Sequence, residues 1–114
     1  MIKLYGIPNC DTIKKAKKWL TENEIEFEFH DYKKHGVPEK ELKQWIKQVG
    51  WEVLLNKRGT TWRKLDDAVK NAVTEKSAIQ IMLENPSIIK RPVLQNAETI
   101  TVGFSEKNYS QLFK

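Results

Sequence analysis

One cysteine, Cys10, occurs in the whole chain, and the residues around it suit a nucleophile. It stands where a short β-prone run, Ile2, Leu4, Tyr5 and Ile7, gives out through Gly6, Pro8 and Asn9. A helical pattern then opens around Asp11 or Thr12, with Ile13, Ala16, Trp19 and Leu20 on one face. Helix N-termini present unpaired N–H groups and about half a positive charge, so a thiolate placed there is stabilised and its pKa falls. A lone cysteine is often just a small buried hydrophobe. The flanks favour the nucleophile: Pro8 and Asn9 make a loop, and Asp11 or Thr12 supplies a cap. Thr12 and the N–H groups after Cys10 would hold the thiolate or a bound anion.

A nucleophile that works on an anion needs fixed cations, and arginine offers a planar, permanently charged fork. Arg58 falls in a polar loop, residues 56–61, that contains Gly59; Arg91 directly precedes Pro92. Both can converge on Cys10, and either can equally be surface charge. Arg63 and the neighbouring lysines read as solvated. The Arg91–Pro92 bond stands before a strand and is open to either isomer, X-Pro being the only common site of a cis peptide.

The composition narrows the function further. A single thiol excludes an internal disulfide framework and any multi-cysteine metal site, so redox work must borrow its second thiol from outside. His30 and His35 have no cysteine near them, and no metal is expected. Net charge is +5, which favours anionic partners, but the positive residues are spread along helices and do not form a direct nucleic-acid signature. Lys14, Lys15, Lys17 and Lys18 read as a solvated helix face, and Trp19, Trp45, Trp51 and Trp62 as core. No apolar run is long enough to span a bilayer, and residues 1–4 start a strand without a signal-peptide pattern; the expectation is a cytoplasmic protein with no membrane partner. At 114 residues the chain suits one domain with a modest core.

The elements that must position these groups follow from periodicity. Residues 24–30 alternate acidic and apolar side chains, a half-buried strand, and β-helix-β over so short a span implies a parallel crossover. Residues 31–37 read as a loop, and a helix over about 38–49 has Pro38 at N1 and Gly50 at its end. Leu54 and Leu55 read as core, 62–65 as a short helix, and about 68–84 as one longer helix with Ala72, Ile79, Met82 and Leu83 inward. Residues 88–94 enter a strand, 95–98 turn, and 99–102 pair back as a hairpin. Gly103 breaks the pattern, and Ser105 caps a last helix carrying Tyr109, Leu112 and Phe113. The order describes an α/β domain with a mixed four-stranded sheet.

Three ordered motifs, Y-G-I-P-N-C-D-T-I-K-K-A, N-K-R-G-T-T-W-R-K-L and I-K-R-P-V-L, make the whole chain resemble the arsenate reductase (ArsC) family, within it the YffB-type branch. The resemblance implies a thioredoxin/glutaredoxin-like fold with a helical insertion, about 38–85, in a single domain 1–114. It implies glutathione-dependent thiol-disulfide chemistry at one cysteine: glutathione is a co-substrate, no cofactor is bound permanently, and glutaredoxin is a further candidate partner. On the matching positions, Cys10, Arg58 and Arg91 would be catalytic, with Asn9, Asp11, Thr12, Pro92 and Phe104 binding substrate or glutathione. Pro92 would face the cysteine loop.

Two departures bear on the substrate, which would be a small anion or a disulfide. Glutaredoxin-linked arsenate reductases have a third arginine after the hairpin glycine, where this chain has Gly103-Phe104-Ser105, and a histidine before the cysteine, where it has Gly6. Losing one cationic clamp weakens the case for arsenate, and Phe104 suggests a more apolar lip. Spx regulators of RNA polymerase share the pattern, but their redox form carries C-x-x-C; here the last position is Ile13, which excludes that dithiol switch. Polymerase binding without a switch is a further alternative.

Overall fold

The computed structural model describes residues 2–113; Met1, in the expected strand start, and Lys114, at the end of the expected domain, lie outside the described residues. In chain order the elements are β1 (Ile2–Gly6), α1 (Asp11–Glu22), β2 (Phe27–Asp31), α2 (Tyr32–His35), α3 (Glu39–Val49), α4 (Trp51–Leu54) and α5 (Thr60–Arg63). There follow α6 (Asp67–Lys70), α7 (Glu75–Glu84), a 3-10 turn (Pro86–Ile88), β3 (Val93–Asn96), β4 (Thr99–Val102) and α8 (Glu106–Leu112). They fall into two compact units: one uses the chain up to Tyr32 and again from Arg91 onward, the other is Lys33–Lys90.

The first unit holds the mixed four-stranded sheet, in the order β2-β1-β3-β4. β1 and β2 run parallel, from Ile2 opposite Phe27 to Gly6 opposite Asp31, through the α1 crossover. β3 lies antiparallel to β1, with Tyr5 opposite Val93, and β4 completes a hairpin. Leu4, Ala16, Leu20, Leu94 and Tyr109 form one buried cluster, joined by the partly buried Trp19, Phe29, Phe104 and Phe113. Leu4 and Leu94 are cross-strand partners, and α1 and α8 bring the other three to them. Tyr109 meets Phe104 edge-on with ring centres 4.7 Å apart, a geometry worth about 1 kcal/mol beyond the area it buries.

Several boundaries differ from the sequence reading. The second strand begins at Phe27, not residue 24, because Glu24 takes a positive φ of 57° and the Ile25 N–H returns to the Leu20 carbonyl, so residues 23–26 serve the turn. Residues 31–37 are not all loop: Asp31 ends β2 and Tyr32–His35 is a helical turn. Ser105 caps α8 as expected, its hydroxyl accepting the Asn108 N–H at 3.1 Å.

In the second unit, Pro38 is the N-cap of α3 and not N1, since its ψ of 100° is extended. Gly50, at φ 88°, ends that helix in a conformation costly for a residue with a Cβ. The short helix falls at Thr60–Arg63 and not at 62–65. The single helix expected over 68–84 is two. Thr74 is extended, accepts the Ser77 N–H with its hydroxyl and donates its own N–H to the Ser77 hydroxyl at 2.8 Å, a capping box that starts α7 afresh. Ala78, Ile81 and Met82 therefore face inward, Ile79 and Leu83 are half-buried, and Ala72 is exposed. Ile88 and Ile89 precede the strand; Ile89 makes an isolated bridge with Leu55. Of the four tryptophans only Trp45 is fully buried, at 1% exposure.

Candidate active site

β1 and the loop behind it deliver Cys10 to the start of α1. Gly6 permits the approach: a Cβ there would strike the side chain of Ile13, with Cγ1 only 3.1 Å away. Ile13 is itself fully buried. Cys10 is the N-cap, extended at φ −139° and ψ 128°, with its carbonyl accepting the Lys14 N–H at 3.0 Å. This corrects the expectation that Asp11 or Thr12 caps the helix, since Asp11 already has helical geometry and is the first residue of α1.

The thiol is held below its ordinary pKa by a contest of opposing effects. Partial burial pushes it up. Against that act the backbone N–H groups of Ile13 and Thr12, then the charge of Arg91 and a hydrogen bond from its side chain. The sulfur falls short of a formal cap hydrogen bond, but the N–H groups it faces are the unpaired ones of the first turn, and they favour the anion. Cys10 is free and half-buried, so a small reagent can reach it.

Arg91 owes its place to β3. The Arg91–Pro92 peptide is cis, Val93 stands opposite Tyr5, and the chain segment before β3 thereby comes to the end of β1 that leads into Cys10. Pro92 is buried beside it, Thr12 is half-buried, and Asn9 and Asp11 are exposed. Arg58 belongs to the second unit, where its N–H donates to Asn56 Oδ1 at 3.0 Å and its side chain is exposed. His30 stands opposite Tyr5 in the sheet, and its ring packs 5.1 Å from that of Tyr5 and 5.9 Å from Tyr32. Among the described residues no group of three or more His, Cys, Asp or Glu could hold a metal ion.

Phe104, Ser105 and Glu106 line a cavity of about 520 Å³ together with Thr12, Lys15, Lys18, Trp19 and Glu22 of α1. The sequence pattern makes these lysines a solvated face and Trp19 a core residue; in the structure all three line the cavity. The three- and four-residue spacing of Thr12, Lys15, Trp19 and Glu22 was the available signal, but only the placement of α8 turns that stripe into a wall. Lys17 does not join them: its Nζ sits 3.7 Å over the Phe29 ring.

A cysteine capping the crossover helix of a mixed four-stranded sheet, with a cis proline just before the third strand, defines a thioredoxin-like fold. A sequence model of the ArsC family matches residues 5–112, and the chain belongs to that family, in its YffB type. The solved structure of a YffB protein is 46% identical, superposes with a TM-score of 0.94 and is covered over 97% of both chains. An uncharacterised protein of Haemophilus influenzae is 48% identical over 99% of each chain. The global transcriptional regulator Spx of Streptococcus agalactiae is 31% identical over 93% of this chain and 78% of its own length. No described helix is long and apolar enough to cross a membrane.

Proposed function

We propose that the chain is a glutathione-dependent thiol-disulfide oxidoreductase that works through Cys10 alone. The observation that carries this reading is the placement of a half-buried thiol as the N-cap of α1, facing the Thr12 and Ile13 N–H groups and Arg91. In the first step the Cys10 thiolate attacks one sulfur of a disulfide. A Cys10–substrate S–S bond forms, the original S–S bond breaks, and the other half leaves as a thiolate with the electron pair. The chain has no second cysteine to resolve the product. A glutathione thiolate therefore attacks the substrate sulfur, which frees Cys10 as thiolate and leaves a glutathione–substrate disulfide. Arg91 holds the thiolate in both resting and leaving states, and Arg58 is the second arginine assigned by the family motif. Pro92 and Thr12 border the nucleophile, Asn9 and Asp11 flank it, and Phe104 supplies an apolar wall.

The test is turnover of a disulfide with glutathione as the sole reductant. Cys10→Ser must abolish turnover and the Cys10–substrate mixed disulfide seen by mass; a Cys10→Ser protein with full turnover would end this reading. Arsenate reduction is the weaker alternative, because Phe104 follows Gly103 where a third cation would be needed. The Spx relatives support a third reading, a regulator that binds RNA polymerase, which native co-purification with polymerase would favour. Glutaredoxin as the electron donor is distinguished by whether it accelerates turnover beyond glutathione alone.

A further inference from the structure

We propose that Lys57 is a positioning residue for Arg58: its ammonium, laid over the rings of Trp51 and Trp62, braces the polar loop that presents the arginine. This rests on the reading of Arg58 as the second arginine of a disulfide reaction at Cys10. Lys57 directly precedes Arg58, so whatever fixes the backbone at one residue fixes the point from which the other reaches out.

The loop, residues 56–61, is anchored at both ends. At its start the Asn56 N–H donates to the Ile88 carbonyl at 2.8 Å; at its end the Thr61 and Ser87 hydroxyls share a hydrogen bond of 2.7 Å. Between these anchors Lys57, Arg58 and Thr60 are exposed on an arch. Two contacts stiffen it from within. The Arg58 N–H donates to Asn56 Oδ1 at 3.0 Å, and Lys57 Nζ lies 5.8 Å from the centre of the Trp51 ring and 5.5 Å from that of Trp62. Trp51 opens α4, before the loop, and Trp62 stands in α5, after it. One cation therefore ties the arch to the elements on either side.

Both distances fall within the reach of a cation–π attraction, about 6 Å, and the indole ring is the strongest partner for it. Both tryptophans are half-buried, which leaves ring surface for the cation. Among the described residues no ion pair engages Lys57, so no carboxylate competes with the rings. An arginine on an unbraced arch gives up backbone and side-chain freedom each time it closes on an anion. On a braced arch the backbone part is already given up, which is preorganisation.

The experiment compares the rate at which Cys10 is modified by dithiobis(nitrobenzoate), a dianion, and by uncharged 2-hydroxyethyl disulfide, followed by mass. In each reaction the Cys10 thiolate gains half the reagent as a mixed disulfide and the other half leaves as its thiolate. Lys57→Gln is expected to slow the anionic reaction about fivefold, in line with the loss of two exposed cation–π contacts, and to leave the uncharged reaction unchanged. Lys57→Arg keeps a cation over the rings and is expected to keep the rate. Trp62→Leu leaves every charge in place and is expected to slow the anionic reaction as Lys57→Gln does. In an Arg58→Ala background Lys57→Gln is expected to have no further effect, since a residue that acts through another falls silent without it. Hydrogen exchange of the Arg58 amide should quicken in Lys57→Gln and stay at the wild-type rate in Lys57→Arg. A Lys57→Gln effect that persists without Arg58, a full rate in Trp62→Leu, a Lys57→Arg protein as slow as Lys57→Gln, or unchanged amide exchange in Lys57→Gln would overturn the brace and leave the thiol chemistry standing. Equal rates for wild type and Arg58→Ala with the anionic reagent would overturn the reading of Arg58, and the brace with it.

Discussion

Arg91 donates a hydrogen bond to the sulfur of Cys10, although the whole of the second compact unit separates the two residues in sequence. The contact joins the loop after β1 to the segment before β3, and it supplies the one side-chain cation among the groups that lower the thiol's pKa.

Removing that cation must raise the thiol's pKa. Arg91→Ala is expected to shift the pH profile of iodoacetamide alkylation upward, with alkylation at pH 7 slowed several-fold; one pKa unit corresponds to ~1.4 kcal/mol. Arg91→Lys keeps the charge but loses the fork, so its profile should fall between. Thiolate absorbance against pH reads both directly. An unchanged profile for Arg91→Ala would show that the helix N–H groups alone set the thiol.

The same shift makes stability depend on pH, and its sign is determined. A thiol whose folded pKa is below its unfolded value binds more protons when unfolded. The stabilisation is therefore fully present above the unfolded pKa, ~8.5, and is lost as pH falls through the folded pKa. Denaturant melts of wild type and Cys10→Ser should differ by an amount that grows from the folded pKa up to about 8.5 and is flat beyond.

Gly6→Ala should destabilise by about 1–3 kcal/mol, because the added methyl collides with Ile13 inside a packed core. The double variant Gly6→Ala with Ile13→Val removes the Cδ1 methyl from the collision and should recover part of the loss. Chemical denaturation of the two proteins decides it; identical losses would place the strain elsewhere.

The hydroxyl of Tyr109 is buried with no hydrogen-bond partner among the described residues, and burial pushes its phenol well above the ordinary range. Tyr109→Phe removes a desolvated group and keeps the ring, so stability should hold or rise by up to about 1 kcal/mol. Tyr109→Ala empties the centre of the cluster and should cost about 3–5 kcal/mol. Thermal melts of the pair separate the hydroxyl from the ring.

Thr74→Ala should cost about 1 kcal/mol through loss of the α7 cap, and Thr74→Ser should restore most of it. Helical content and denaturant midpoints measure the difference.

What the sequence determined by itself is mostly local. Period-two and helical patterns place β1, α1 and the hairpin within a few residues, Gly50 and Ser105 mark ends that backbone geometry alone demands, and the joint at Cys10 is legible because loop and helix formers meet there. The break at Thr74 within 68–84 is hard to see in the sequence for a local reason: its Thr-x-x-Ser cap lacks the Glu or Gln at the N3 position that usually announces a helix start. The rest was decided in three dimensions. Nothing near Cys10 in sequence names Arg91 as its partner; the antiparallel register of Tyr5 with Val93 does, because strand pairing is a choice among distant segments made by the whole core. Likewise, Lys15 and Trp19 become the wall of a cavity only when α8 packs beside α1, since a helix stripe has no meaning until another element faces it.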